Sequence, residues 1–351
     1  MRTNIILAFV TLLFMISCAE EPEIIPPYVP PADLGEGFYV VNQGIYTSGN
    51  ASLSFYSKDS AKMFNNIFFS RNDIPLGDVA QSITFNGDIA YVVVNNSGVI
   101  WIINASTSAI IAKLSNLYSP RYVCVVSPDK IYVSDFELPG ISVFRAQDML
   151  PLGTILTGKN TERMQLVGNK VFVANWSQYN RVAPNNTIQI INTQNDQLID
   201  SVIVVKEPNS LVVDKNNKLW VLCSGGFMNE EIPALFKINS INHAIEARFD
   251  FPTATISPEQ LVINASGDTL YYLNNGIFRM AITDSELPNQ AFIPKGMRNY
   301  YALAVNPENS EIIATDAGNY VQSGYLFRFL ANGTLIDSLK VGINPGFIGF
   351  K

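Results

Sequence analysis

Residues 212–222 read VVDKNNKLWVL. Two apolar runs flank five polar residues, and Asp and Asn at the centre tolerate the backbone of a tight bend. The stretch predicts a β-hairpin. The same arrangement returns as TFNGDIAYVVV (84–94), VVSPDKIYVSD (125–135), LVGNKVFVAN (166–175), VINASGDTLYYL (262–273) and AVNPENSEIIAT (304–315). The second strands centre on Tyr91, Tyr132, Phe172, Trp220, Tyr271 and Ile313, at spacings of 41, 40, 48, 51 and 42 residues. A fixed period of this length is the mark of a repeat architecture.

Each unit carries two more strands, as in GVIWIINASTSAIIAKL (98–114) and NTIQIINTQNDQLIDSVIV (186–204). A further second strand, GFYVVN (37–42), opens the series with no partner ahead of it, and NPGFIGFK (344–351) closes it with nothing after. Six whole units and one divided between the chain ends make seven. The expected fold is all-β: a seven-bladed β-propeller of four-stranded blades. Its ring is closed by pairing the C-terminal strand with the N-terminal blade, which removes exposed sheet edges. A pair of β-sandwiches is the competing fold, and strict recurrence argues against it. Helical periodicity is absent beyond residue 17.

In a propeller, the loops between blades share a face with the loops joining second and third strands. Here those loops are long and aromatic, whereas the opposite hairpins are short and polar. Aromatic side chains in loops need something to pack on or to bind. The second-to-third loops supply Tyr46, Phe136, Trp176, Tyr179, Phe227 and Tyr320. The inter-blade loops supply Gln81, Arg121, Tyr122, Arg163 and Tyr300. These are the candidate ligand-binding residues. Rings with polar tips, amides and guanidinium groups suit a broad, largely neutral ligand.

The inner strands are nearly all apolar, with carboxylates such as Glu162 and Glu259 only at the rims. No spacing marks a catalytic set or a metal site, so the expected role is capture and not conversion. Hydrophobic residues make up 48% and charged residues 15% of the chain, enough for a large core. The net charge of −7 argues against nucleic acid and against a basic lipid-docking patch. The single histidine, His243, weakens His-based triads and metal centres, and is expected in an outer turn. Cys124 and Cys223 lie in apolar strands and read as buried free thiols.

The start of the chain sets the compartment. Residues 5–16, IILAFVTLLFMI, are too few to span a bilayer and suit a signal h-region. Ser17 and Cys18 follow, and the stretch resembles a bacterial lipoprotein signal, with Cys18 the lipidated residue. Ala19, Glu20 and Glu21 resemble the surface-export signal of Bacteroidota lipoproteins. Prolines 22, 26, 27, 30 and 31 favour an extended tether, at about 3.1 Å per residue. The expected organisation is a signal peptide over 1–17, the lipidated cysteine and tether over 18–36, and the propeller over 37–351. The expected location is the outer membrane, lipid-anchored and facing outward. Asp-Ser or Asp-Thr followed by an aliphatic residue, at Ser60, Ser201, Thr269 and Ser338, resembles a Bacteroidota O-glycosylation pattern.

GFYVVNQGIYTSGNASLSFYS (37–57), behind such a tether, resembles the opening of Bacteroidota surface propellers of the YncE-like, DUF5074 type. The resemblance covers the whole chain in architecture and is most specific over residues 37–57. It departs at Gln43, where typical members carry Glu. It implies capture of a small molecule, cobalamin or a related cobamide, and transfer to a TonB-dependent outer-membrane transporter. Two other roles stand beside it: a protein-interaction scaffold of the envelope, and a lactonase-like hydrolase, whose family relatives hold a metal in the channel.

Overall fold

The computed structural model describes residues 32–176 and 185–351. The expected signal peptide, Cys18, most of the tether and Tyr179 lie outside the described residues. The strands form seven four-stranded antiparallel sheets. Their inner strands are Pro345–Phe350, Ala80–Asn86, Pro120–Ser127, Met164–Val167, Pro208–Val213, Glu259–Ile263 and Tyr300–Val305, for blades 1 to 7. Each touches the next, and the seventh touches the first. The C-terminal strand pairs antiparallel with Gly37–Asn42, from Phe38 opposite Phe350 to Val41 opposite Phe347. The seven-bladed ring with its two-ended blade is therefore as the repeat predicts.

The hairpin that opened the argument explains the packing. Pro208–Val213 and Lys218–Cys223 pair across the Asp214–Asn217 bend. Trp220 and Leu222 point into the core shared with blade 6. Leu219 and Val221 point the other way, into the core shared with blade 4. Period-two alternation thus feeds both faces of each sheet, which is why second strands read as continuous apolar runs. Trp220 is fully buried, and its indole N–H is satisfied by Asp214 Oδ2 at 2.9 Å.

One element has no counterpart in the sequence pattern. A helix, Ile67–Asn72, follows the outer strand of blade 1, which is only three residues long, Lys62–Phe64. Ile67 and Phe68 bury themselves between blades 1 and 2. Six residues are too few to show a helical period, so tertiary packing and not propensity forms this turn and a half. Cys124 and Cys223 are free thiols, the second fully buried, and burial raises the pKa of both.

His243 does sit in a turn, at φ 62° between the third and fourth strands of blade 5. Its side chain, however, faces inward. Lys170 of blade 4 donates to Nε2 at 2.9 Å, which leaves Nδ1–H to donate to Asp200 Oδ2. The ring also meets Phe172 edge-on. His243 is thus a latch between blades, not a solvated turn residue.

Candidate functional site

The seven inner strands share a detail that composition does not reveal. Each is bulged close to its start. Gly346, Gln81 and Asn209 are single extra residues between paired neighbours. Arg121 with Tyr122, Gln260 with Leu261, and Tyr301 with Ala302 each face one residue on the adjacent strand. In blade 4, Glu162 N–H donates to Ala174 O while Ala174 N–H donates to Arg163 O, so two residues again face one. A bulge twists its strand and re-aims side chains. In six blades it turns polar side chains toward the central axis, and in blade 1, where the extra residue is Gly346, Gln43 completes the ring.

These groups line a mouth of about 140 Å³: Gln43, Gln81, Arg121, Tyr122, Glu162, Arg163, Trp176, Asn209, Glu259, Gln260, Tyr301 and Gly346. Several hold one another. Gln81 donates to the Tyr122 hydroxyl at 2.9 Å, and the Tyr301 hydroxyl donates to Gln43 Oε1 at 2.7 Å. Asn209 donates to the Pro258 carbonyl at 2.8 Å. Arg121 makes a two-pronged bond to Glu162, at 2.7 and 2.8 Å. Burial alone would lower the Arg121 pKa, but the Glu162 carboxylate more than offsets this and holds it above its ordinary value. Val79, Glu207 and Asn344 each enter an inner strand at positive φ, and the strain is greatest at Val79. Val79 takes φ 58°, where β-branched residues rarely sit and which costs about 1–3 kcal/mol. Its carbonyl is held by Asn95 N–H at 2.8 Å.

An aromatic ledge flanks the mouth. Trp176 lies 5.3 Å from Phe136 on one side and 5.3 Å from Phe227 on the other. The Arg121 guanidinium covers Phe136 at 5.1 Å and Trp176 at 5.6 Å. Tyr320 meets Tyr301 edge-on at 5.7 Å.

Of the residues expected at the site, Gln81, Arg121, Tyr122, Arg163 and Trp176 line the mouth, and Phe136, Phe227 and Tyr320 pack beside it. Tyr46 does neither: it projects from the blade 1 loop, 68% exposed. Tyr300 lines a separate cleft of about 210 Å³ with Lys295 and Asn299, and its neighbour Tyr301 takes the mouth position. The inter-blade residues also need a correction of address. Gln81, Arg121, Tyr122 and Tyr300 belong to inner strands, not to loops. Tyr301, Gln260 and Asn209 fall in the segments read as inter-blade loops and were not singled out, because nothing in a loop reading tells which of its residues a bulge will aim at the axis. The polar residue at the second position of most inner strands was the available signal.

Glu259 is the mouth's carboxylate without a cation. No described residue donates a hydrogen bond to its side chain, and although the residue is exposed at the rim, desolvation by the protein around the carboxyl pushes its pKa from 4.5 up to about 7. Folding therefore favours the protonated form. That contribution is present below about pH 4.5 and is lost as pH rises through about 7. Glu259→Gln is expected to raise the melting temperature at pH 8 and leave it nearly unchanged at pH 4. The gain should stay under about 1 kcal/mol, because solvent still reaches the carboxyl through the mouth. Thermal melts at the two pH values check this, and an equal shift at both would refute it.

Comparison with known proteins comes to the same architecture. The family model described as "Domain of unknown function (DUF5074)" matches residues 36–342, and the chain belongs to that family. No curated protein gives a significant match. Among solved structures, the chain is similar to a quinonprotein alcohol dehydrogenase-like protein from Bacteroides thetaiotaomicron. The identity is 15%, the TM-score 0.70, and the match covers 91% of this chain and 79% of that one. It is also similar to a protein from Lactobacillus plantarum, at 14% identity and TM-score 0.65, covering 90% and 99%. Virginiamycin B lyase from Staphylococcus aureus follows at 14% identity and TM-score 0.58, covering 74% and 83%. At such identities the likeness shows the fold alone.

Proposed function

We propose, with membership of this family as the premise, that the chain captures a ligand on its loop-rich face and releases it unchanged. The observation that carries this reading is the ring of bulged, mutually bonded polar residues beside the Phe136–Trp176–Phe227 ledge. A propeller fold is a suitable carrier for such a face. The named candidate is cobalamin or a related cobamide. A corrin cannot enter a 140 Å³ mouth, which is smaller than the roughly 300–1,000 Å³ of pockets that engulf a ligand. It would lie across the rim, its faces against the ledge and its amide fringe over Gln43, Gln81, Asn209 and Gln260.

In this reading the lipid on Cys18 holds the protein at the outer membrane, and a TonB-dependent transporter receives the ligand. Tyr118, Met228 and Met297 stand exposed in loops of the same face, as a protein-docking rim requires. That observation also favours the second reading, a scaffold that docks a partner with no small molecule. Calorimetry with cyanocobalamin on the purified protein tests the first. We expect micromolar or tighter binding, weakened at least tenfold by Trp176→Ala. No heat and no retained corrin would remove the cobamide.

A further inference from the structure

We propose that Arg163 is the anion-recognition residue of the mouth, and that the site takes ligands whose carboxylate or phosphate is carried on an apolar ring. The mouth contains two arginines with different fates. Arg121 is already matched by Glu162. Arg163 forms no ion pair with any described residue. Among the described residues its side chain makes one hydrogen bond, from Nη2 to the neutral Gln260 Oε1, at 3.3 Å. Two aromatic rings fix its position: it lies 4.6 Å from the centre of Tyr122 and 5.2 Å from that of Phe347. A guanidinium has five donors in a rigid fork that matches an oxyanion two bonds at a time. Here the two rings hold the guanidinium in place, and most of that fork has no partner among the described residues.

The position along the channel supplies the rest of the ligand. Arg163 lines the polar mouth above and also a chamber of about 190 Å³ below. Leu261, Ala302, Phe347 and Ile348 line that chamber. An oxyanion at the guanidinium therefore has apolar walls within reach for its ring. Glu259 shares the mouth but makes no contact with Arg163. This proposal rests on the mouth being the ligand site; it does not require the ligand to be a cobamide.

Benzoate and benzamide have the same shape and differ in charge, so they isolate the claim. Titrated against the full protein and followed by saturation-transfer NMR, benzoate is expected to bind at least fivefold more tightly than benzamide. Arg163→Gln should erase the difference, and Arg163→Lys should retain part of it. Equal affinities in the unaltered protein, no binding of either, or a preference that survives Arg163→Gln would each overturn the proposal. The wild-type comparison stands even where a variant fails to fold. Cobalamin calorimetry on the same preparation separates the two readings. Corrin binding without a benzoate preference removes the anion subsite alone, and the reverse removes the cobamide alone.

Discussion

Deletion of residues 344–351 should leave a protein with no cooperative unfolding transition. These residues are the inner strand of blade 1, and no other segment can take that place. They bond to Gly37–Asn42 on one edge and pack against the inner strands of blades 2 and 7. Ile348 is buried with Phe38, Val40, Ala302, Ala304, Ile313 and Leu326, which come from both sides of the seam. Gly349 runs so close to blade 2 that a Cβ there would meet Ile83 Cγ2 at 2.4 Å. Above the strand, Gln43 N–H donates to Asn344 O and Gly44 N–H to Ile343 O, tying the blade 1 loop to the seam. Burying Ile348 is worth roughly 1.5–3 kcal/mol, the half-buried Phe347 and Phe350 add somewhat less each, and the ladder to Gly37–Asn42 adds its hydrogen bonds. The strand's contribution therefore approaches the whole net stability of an ordinary domain, about 5–15 kcal/mol. Removal also exposes the edge of Gly37–Asn42 and the packing faces of blades 2 and 7, which invites association. Circular dichroism melts and size-exclusion chromatography read the result. Lys351→Ala, which removes bonds to Gly35 O and Ser106 Oγ at the surface, serves as the mild control, within about 0.5 kcal/mol. A sharp, native-like melt of the shortened chain would show that the ring does not need its closing strand.

The ring was legible because its signal is periodic and redundant. Trp220 could be replaced in thought by any apolar residue and the hairpin over 212–222 would still be read. The divided unit was legible for the same reason, since GFYVVN and NPGFIGFK complete one another. The site was less so, because bulges break the very parity that makes strands readable. Tyr300 and Tyr301 differ by one position, and the bulge opposite Thr315 decides which of them reaches the axis. Arg121 and Tyr122 were found for their chemistry but placed in a loop, because two consecutive polar side chains do not suit a buried strand until a bulge turns both toward the mouth. His243 looked like a turn residue from its neighbours in sequence. Its partners, Lys170 and Asp200, are 73 and 43 positions away, and only the packing of blade 4 on blade 5 joins them. The helix Ile67–Asn72 belongs to the same class, for it exists through burial of Ile67 and Phe68 and carries no local signature.

Glu162→Gln is expected to destabilise the protein by about 3–5 kcal/mol, more than any other single substitution at the mouth. The side chains of Arg121 and Glu162 are 12% and 5% exposed, so the guanidinium depends on this carboxylate for compensation. Glutamine keeps the shape and one acceptor oxygen but removes the charge, which leaves a nearly buried cation without an anion. The paired replacement Arg121→Met with Glu162→Leu should recover most of the loss, since well-packed apolar residues often serve as well as a buried pair. Denaturant titrations of Arg121→Met, Glu162→Leu and the double variant supply the cycle, with Glu162→Gln measured beside them. If Glu162→Gln costs less than about 1 kcal/mol, solvent already pays the solvation of Arg121 and the pair is ornamental. The same variants also report on the ledge. Arg121 covers both Phe136 and Trp176, so its removal should alter Trp176 emission even where stability returns. Trp101 and Trp220 provide an internal reference, because both are buried and already bonded, to Leu76 O and Asp214 Oδ2. A double variant with wild-type stability, shifted emission and weakened ligand binding would assign Arg121 to the ledge. One with wild-type emission and binding would confine the pair to holding blades 3 and 4 together.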